Sequence, residues 1–583
     1  MGAEQNNHQS ERPSVNLLPH EIASMIAAAV TSAQDAGDLP AFALPGLPVQ
    51  PSKKAGQGDY NTPIAMSLAK SASLPPRTVA ETLLRHMPAR SYIEKAEIAG
   101  PGFINFTLSE KWLKSLVDTI IDEGSHLFTL NLGTGKRAQV EFVSANPTGP
   151  LTIGRSRGAV IGDTMARLLA AAGYEVEREY YFNNAGNQMI NLGNSLRYRY
   201  LEQLGLPLPQ MDDEQFYRGE YLIDYAKALV AEVGSSWATQ DWRPFKEYAE
   251  ARMFDWIRAT LKRVDIHHDV FFNENSLFET EAVWQTLEDL RARGYIYSAP
   301  EWEGASEEEK AKSASKAPAQ WFRTTTFGDD KDRVMVKSDG VPTYTLPDIA
   351  YHRNKVERGF DLMVNVLGAD HGQQYRVVAW GLEALGLPSA GLHVILNQMV
   401  RFVKDGKEFK GSTRKGVFET LDDLVDEVGA DAIRYHLLAR SPTTHITFDM
   451  DEVVRQSNDN GVFYIQNAHV RCAGIIREAE ARQFSDAGAD LQLLGQPELT
   501  FIRKVLELGE VIEASVTGYE PHRIAYYGFE LASIFHPIYD EIRVLHSEVP
   551  ENVAKARLRF YRAAKTAFAR VLNLMGMSAP ERM

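Results

Sequence analysis

Between residues 138 and 182 the chain reads as strand, tight turn, helix and strand, and few folds accommodate that order. AQVEFVSA (138–145) has the apolar, β-rich composition of a strand, and NPTGP (146–150) is turn chemistry. From Gly154 an amphipathic helix is expected, with Ile161, Met165, Leu168 and Ala172 on one face and Gly173 as its C-terminal stop. Residues 174–182 read as a second strand. Two strands joined through one helix lie parallel and cross over right-handed. DLMVNVLGADH (361–371) and GLHVILNQMVRFV (391–403) are also strand-like and end in polar or charged residues. The carboxyl ends of such strands are where ligands sit.

On either side of this region the pattern changes. Residues 13–36 look helical, with Leu17, Ile22, Met25 and Ile26 as apolar points, and a Pro/Gly-dense loop follows to Tyr60. Short helices are expected at 64–70 and 76–86, and PGFINFTLS (101–109) alternates as a strand does. EGASEEEKAKSASKAPA (303–319) is polar and low in complexity, which predicts a mobile surface loop. After about Asp451 strand signals stop, and the spacing of Tyr561, Ala564, Phe568, Leu572 and Met575 predicts a helical bundle. The fold class expected is therefore multidomain α/β: a Rossmann-type parallel-sheet catalytic domain (124–455), an N-terminal α+β domain (1–123) and a C-terminal all-α bundle (456–583). A length of 583 residues suits several domains.

Composition excludes more than it selects. Cys472 is the sole cysteine, so an internal disulfide and a Cys-rich zinc site are both out. No apolar run is long enough to cross a membrane, and MGAEQNNHQSER lacks the apolar core of a signal peptide. A cytoplasmic protein without membrane partners is expected. The net charge of −15 argues weakly against nucleic acid, but binding depends on local patches. Residues 555–570 carry Lys555, Arg557, Arg559, Arg562, Lys565 and Arg570 and no acid; alone, such a run is a solvated helix face.

EFVSANPTGPLTIGRSRG (141–158) resembles the signature region of class I aminoacyl-tRNA synthetases, whose His-x-Gly-His motif here reads Thr152, Ile153, Gly154, Arg155. Glycine at this turn lets ATP lie against the backbone, with helix N–H groups facing the phosphates. The flanking strings, with REYYFNNAGNQM (178–189), are similar to the arginyl-tRNA synthetase family. FKGSTRKG (409–416) resembles the Lys-Met-Ser-Thr-Arg form of the family's mobile cationic loop, with Gly411 replacing methionine and Thr413 matching. The resemblance implies catalytic roles for Thr152, Gly154, Arg155, Lys410, Ser412 and Arg414, which would neutralise charge as pyrophosphate leaves. It implies arginine binding by Glu141, Ser144, Asn146, Tyr344, Asp348, His371 and Gln374: a guanidinium calls for forked carboxylates and a flat stacking face. It implies ATP binding by Pro150, Gly154, Arg157, Gly368, Asp370 and Lys410. Without it, Asp348 reads equally well as a helix N-terminal acid after Pro347.

The resemblance runs nearly the whole length. GDYNTPIAMSLAK (58–70) and EIAGPGFINF (97–106) look like the family's domain for the tRNA elbow, and DNGVFYIQNAHVRCAGI (459–475) like the start of its anticodon-binding domain. Arg559, Arg562 and Lys565 then become candidate tRNA phosphate contacts. The implied reaction is ATP-dependent ligation of L-arginine to tRNA(Arg) through arginyl-adenylate, releasing AMP and pyrophosphate, by a monomer using Mg2+ with ATP and no zinc. Two rivals remain: a non-catalytic arginine- or tRNA-binding relative, motivated by Thr152, Arg155 and Gly411, and a nucleotidylyltransferase.

Overall fold

The computed structural model describes residues 17–52, 56–212, 215–409 and 420–583. At its centre a five-stranded sheet runs in the order Leu392–Asn397, Leu362–Gly368, Arg137–Glu141, Glu175–Phe182, Val270–Asn273, with every pairing parallel. From the Arg137–Glu141 strand the chain builds outward one way, through 175–182 to 270–273. It then returns to the other side with 362–368 and 392–397. The crevice at the carboxyl ends of the two strands flanking that reversal is where an open parallel sheet binds its ligand.

The first strand is shorter than its composition predicts. It stops at Glu141 because Val143 (φ 71°) and Ser144 (φ 44°) turn the chain through the left-handed region, and the Ser144 N–H donates back to the Phe142 carbonyl at 3.0 Å. A β-branched residue at positive φ is strained, and such strain collects at functional sites.

The helix that follows spans Ser156–Ala171 after a 3₁₀ turn at Ile153–Arg155. It is not amphipathic: nearly all its residues are buried, because the sheet packs on one side and the helices Ala430–Leu438 and Gln496–Gly518 on the other. A helix enclosed on all sides needs no polar stripe. Gly162 sits so close to Phe142 that a Cβ there would lie 2.3 Å from that ring.

Residues 303–319 hold more structure than a mobile loop. Ser306 and Glu309 form a reciprocal capping box on a Glu307–Ser313 helix, and Ser313 Oγ donates to Glu301 at 2.9 Å. The Ser-x-x-Glu start signal outweighs the low complexity. This segment joins Ile296–Ala299 to Ala319–Phe322 in a three-stranded antiparallel sheet with Arg333–Val336.

At the N-terminus, helices Leu18–Asp35, Ile64–Ala72 and Pro76–His86 pack with a four-stranded antiparallel sheet that includes Phe103–Leu108; residues 13–16 of the first expected helix lie outside the described residues. The C-terminal bundle comprises Gly461–Ala481, Gln496–Gly518, Arg523–Glu541 and Glu551–Leu574, with Tyr561, Ala564, Phe568, Leu572 and Met575 all buried. The two ends of the chain meet: Tyr60 OH donates to Glu510 at 2.8 Å, and Arg503 pairs with Asp59 at 2.8 Å. Among the described residues no helix is long and apolar enough to cross a membrane.

Candidate active site

A cavity of about 440 Å³ opens at the carboxyl edge of the parallel sheet. Glu141 and Ser144 reach it from the end of the central strand, Gly368 from the end of the strand beside it and Asn397 from the end of the edge strand beyond. Gly154, Arg155 and Gly158 come from the turn and first turn of the buried helix. Tyr344 and Asp348 come from the start of the Thr345–Glu357 helix, where Pro347 is tolerated in the first turn, and Glu274 from just after the opposite edge strand. Stretches of sequence spread from Glu141 to Asn397 thus converge because a parallel sheet brings all its carboxyl ends to one side.

The acids set the character of this cavity. Burial pushes the Asp348 carboxyl up to about 7; Gln374 Nε2, donating to it at 2.6 Å, opposes the shift, and nearby Glu141 and Glu274 add to it. Burial also raises Glu274, against the pull of hydrogen bonds from Tyr181 OH (2.8 Å) and Asn183 Nδ2 (2.9 Å). The three carboxylates cluster around Tyr181, and after burial each of them helps hold its hydroxyl well above the ordinary tyrosine range. Glu141 is buried, with Ser144 Oγ donating to Oε1 at 3.2 Å and Lys355 Nζ to Oε2 at 2.7 Å. Ser144 is itself fixed, because its Oγ accepts the Tyr181 N–H at 3.2 Å. Tyr344 stands 83% exposed at the rim, with a flat face free for stacking.

The turn at 151–155 is tied to a distant part of the chain. Thr152 forms an antiparallel bridge with Thr420, and the Leu421 N–H donates to the Leu151 carbonyl at 2.7 Å. Thr420 also caps the Leu421–Val428 helix, reciprocally with Asp423.

Three family models match the chain: arginyl tRNA synthetase N terminal domain over residues 20–108, tRNA synthetases class I (R), catalytic domain over 117–468, and DALR anticodon binding domain over 465–583. An arginine–tRNA ligase from Desulfitobacterium hafniense is 41% identical over 96% of this chain and 98% of its own length. One from Bacillus subtilis is 39% identical over 93% of this chain and 95% of its own length. The chain belongs to the arginyl-tRNA synthetase family. The Thermus thermophilus arginyl-tRNA synthetase structure shares its fold, with a TM-score of 0.72 at 20% identity over 97% of this chain and 100% of that one.

For a class I arginyl-tRNA synthetase the convergence is informative in both directions. Glu141, Ser144, Gly154, Arg155, Tyr344, Asp348, Gly368 and Gln374 line one cavity. Asp370 follows Gly368 on a 3₁₀ turn that ends at His371, whose side chain lies outside the described residues. Lys410, Gly411, Ser412, Thr413 and Arg414 also lie outside them. Asn146 is exposed and off the cavity wall: its Nδ2 donates to Gln188 at 3.0 Å and its Oδ1 accepts the Asn183 N–H at 3.0 Å. Pro150 and Thr152 shape the turn rather than line the cavity.

Two expectations need correction. Arg157 is not placed for ATP. It is buried, donating to the carbonyls of Gln398 and Thr444 (both 2.8 Å) and Ser441 (2.9 Å), and burial draws it down to about 10. It fastens the buried helix to the segments after the last sheet strand. Arg559, Arg562 and Lys565 are not a free basic face either. Arg559 pairs with Asp118 (2.7 Å) and Asp486 (3.5 Å), Arg562 with Asp486 (3.2 Å) and Lys565 with Glu581 (2.5 Å). The run has no acid of its own, so the fold supplies acids from elsewhere.

The sequence reading missed Glu274 and Lys355. Glu274 had one usable signal, an acid directly after a strand end. Asp348, His352 and Lys355 stand at i, i+4 and i+7 of one helix and so share a face, a spacing that could have exposed the lysine.

Proposed function

We propose that this arginine–tRNA ligase reads its amino acid by charge balance. Three carboxylates, Glu141, Glu274 and Asp348, face the cavity with one buried ammonium, Lys355, among them. Arginine brings two cationic groups, a guanidinium and an α-ammonium, to the carboxylates that Lys355 leaves unanswered, while Arg155 on the cavity wall is left for the substrate carboxylate and the phosphates. This imbalance is the observation that carries the reading, because an uncompensated buried charge is costly until it is paired. The guanidinium would lie between Asp348 and Glu274, stacked by Tyr344, with Gln374 holding Asp348 in place. The α-ammonium would meet Glu141 beside Ser144, with Asn146 bordering that end of the substrate and His371 assigned to the amino-acid side.

The arginine carboxylate then attacks the α-phosphate of ATP, giving arginyl-adenylate and pyrophosphate, and a 3′-terminal ribose hydroxyl of tRNA(Arg) takes the arginyl group and releases AMP. No protein nucleophile is needed; positioning and charge stabilisation supply the rate. Gly154 keeps the backbone open beneath the nucleotide, and the helix from Ser156 offers its N–H groups to the phosphates. Arg155, Lys410, Ser412 and Arg414 would face the leaving pyrophosphate, Pro150 and Thr152 would shape the turn beneath it, and Gly368 with Asp370 would receive the ribose. Mg2+ accompanying the ATP would offset phosphate charge.

We further read residues 1–123, 124–455 and 456–583 as elbow-binding, catalytic and anticodon-binding parts of a cytoplasmic monomer. ATP–pyrophosphate exchange tests the whole reading. Exchange should require arginine and rise when tRNA(Arg) is added. Exchange driven by another amino acid would overturn the substrate, and tRNA binding without turnover would favour a non-catalytic relative.

A further inference from the structure

The second oxygen of Glu141 is held from inside the fold. Lys355, wholly buried, places its Nζ 2.7 Å from Glu141 Oε2, 2.9 Å from Asn365 Oδ1 and 4.3 Å from the centre of the Tyr351 ring. Asn365 Nδ2 lies 2.6 Å from His352 Nε2, and His352 Nδ1 lies 2.7 Å from the Asp348 carbonyl. An amide NH2 can only donate and a carbonyl can only accept. His352 must therefore carry its proton on Nδ1 and be neutral. Burial, with Lys355 nearby, holds that imidazole well below the usual histidine range. The result is one unbroken chain of hydrogen bonds from the backbone of Asp348 to the carboxylate of Glu141, with every donor and acceptor direction fixed.

We propose that Lys355 is a positioning residue for amino-acid recognition: it occupies one oxygen of Glu141, leaves the other aimed at the substrate α-ammonium, and through Asn365 and His352 ties that end of the pocket to Asp348 at the guanidinium end. The inference rests on the assignment of Glu141 to the α-ammonium. The charged and titratable groups around Glu141 are Lys355, His352, Asp348 and Tyr351 on the helix, Glu179 and Tyr181 on the neighbouring strand, Glu274 beyond it, Tyr375 on the Gly372–Ala384 helix and Arg155 on the cavity wall. Glu179 is already paired with Arg358 at 2.6 Å and accepts from Tyr351 OH. Without Lys355, Glu141 would be a buried carboxylate beside two others with no cation paired to it, a costly arrangement.

The test is steady-state arginylation by the full-length enzyme carrying Lys355→Met, which keeps most of the length of the side chain and removes its charge. The KM for arginine should rise on the order of 30-fold at pH 7. The kcat at saturating arginine should stay within about threefold. Inhibition by 5-guanidinopentanoate, which lacks the α-amino group, should be unchanged. Equal weakening of that inhibitor would reduce Lys355 to a packing role. If Lys355→Met does not fold, the pair Glu141→Gln and Glu141→Gln/Lys355→Met decides, since replacing both charges is well tolerated. The proposal requires the double variant to match Glu141→Gln in KM; a further large loss would overturn it. A normal KM in Glu141→Gln alone would instead overturn the assignment of Glu141 to the α-ammonium, and with it this role for Lys355.

Discussion

In the cavity at the sheet edge, three carboxylates share one ammonium; along the Glu551–Leu574 helix, each cation has a partner. Lys555 pairs with Glu551 at 2.7 Å and Arg557 with Glu498 at 3.5 Å, Arg559, Arg562 and Lys565 meet Asp118, Asp486 and Glu581, and Arg570 donates to the Leu127 carbonyl at 2.9 Å. In sequence one is a continuous basic run, residues 555–570, and the other is three acids scattered from Glu141 to Asp348. In the fold they are opposites. Charge left uncompensated in an enclosed space is held ready for a ligand, whereas charge already matched is architecture, tying the last helix to the N-terminal region and to the rest of the bundle.

The largest effect should come from removing a carboxylate on the uncompensated side. Asp348→Ala should lower kcat/KM for arginine by about 10³-fold, ~4 kcal/mol, almost all of it in KM. An unchanged KM in arginylation assays would take Asp348 out of the pocket and erase the contrast. Next comes pH. With its carboxyl near 7, Asp348 is about one-tenth ionised at pH 6 and nine-tenths at pH 8, and a guanidinium binds the ionised form. KM for arginine should therefore fall about ninefold from pH 6 to pH 8, and Asp348→Asn should flatten that profile. The stability sign follows from the same raised value: between roughly pH 4 and 7 the folded chain keeps a proton that the unfolded chain has lost, so this group's contribution declines as pH rises and arginine restores it. Melting curves at pH 5 and pH 8, with and without arginine, would reveal a wrong sign.

Smaller effects probe the phosphate side and the paired helix. Arg155→His should leave the exchange rate within about threefold of the parent or raise it; loss of turnover would make Arg155 an indispensable phosphate ligand. Arg559→Ala should cost about 0.5 kcal/mol of stability or less and change the tRNA KM by less than about twofold, because its partners are already in the protein and the pairs are partly exposed. A salt dependence of tRNA binding that drops by about one unit of log–log slope would return Arg559 to the phosphates and blur the comparison.

Local pattern was enough for the βαβ unit, the glycine at 154 and the helical spacing from Tyr561 to Met575, because each depends on neighbours within a few turns or residues. It was not enough for the end of the first strand, where the turn at Val143 and Ser144 breaks an otherwise continuous apolar run. Nor did it foresee the burial of the Ser156–Ala171 helix on its far side, since the helices that cover it come some three hundred residues later. Asp348 and Tyr344 were legible through resemblance; Glu274 and Lys355 were not, because an isolated acid and a helical lysine look like solvated surface until something encloses them.

By itself the sequence determined the parallel sheet, the position of its ligand edge and the family, since periodicity, turn chemistry and motif strings are written within short stretches of chain. Only the tertiary structure decided which charges are answered. Glu141 and Lys355 are 214 residues apart and Arg559 and Asp118 are 441 apart, and separations of that size are invisible to any local pattern. Whether a charge is paired depends on what folding brings within about 4 Å of it and on how much water it excludes.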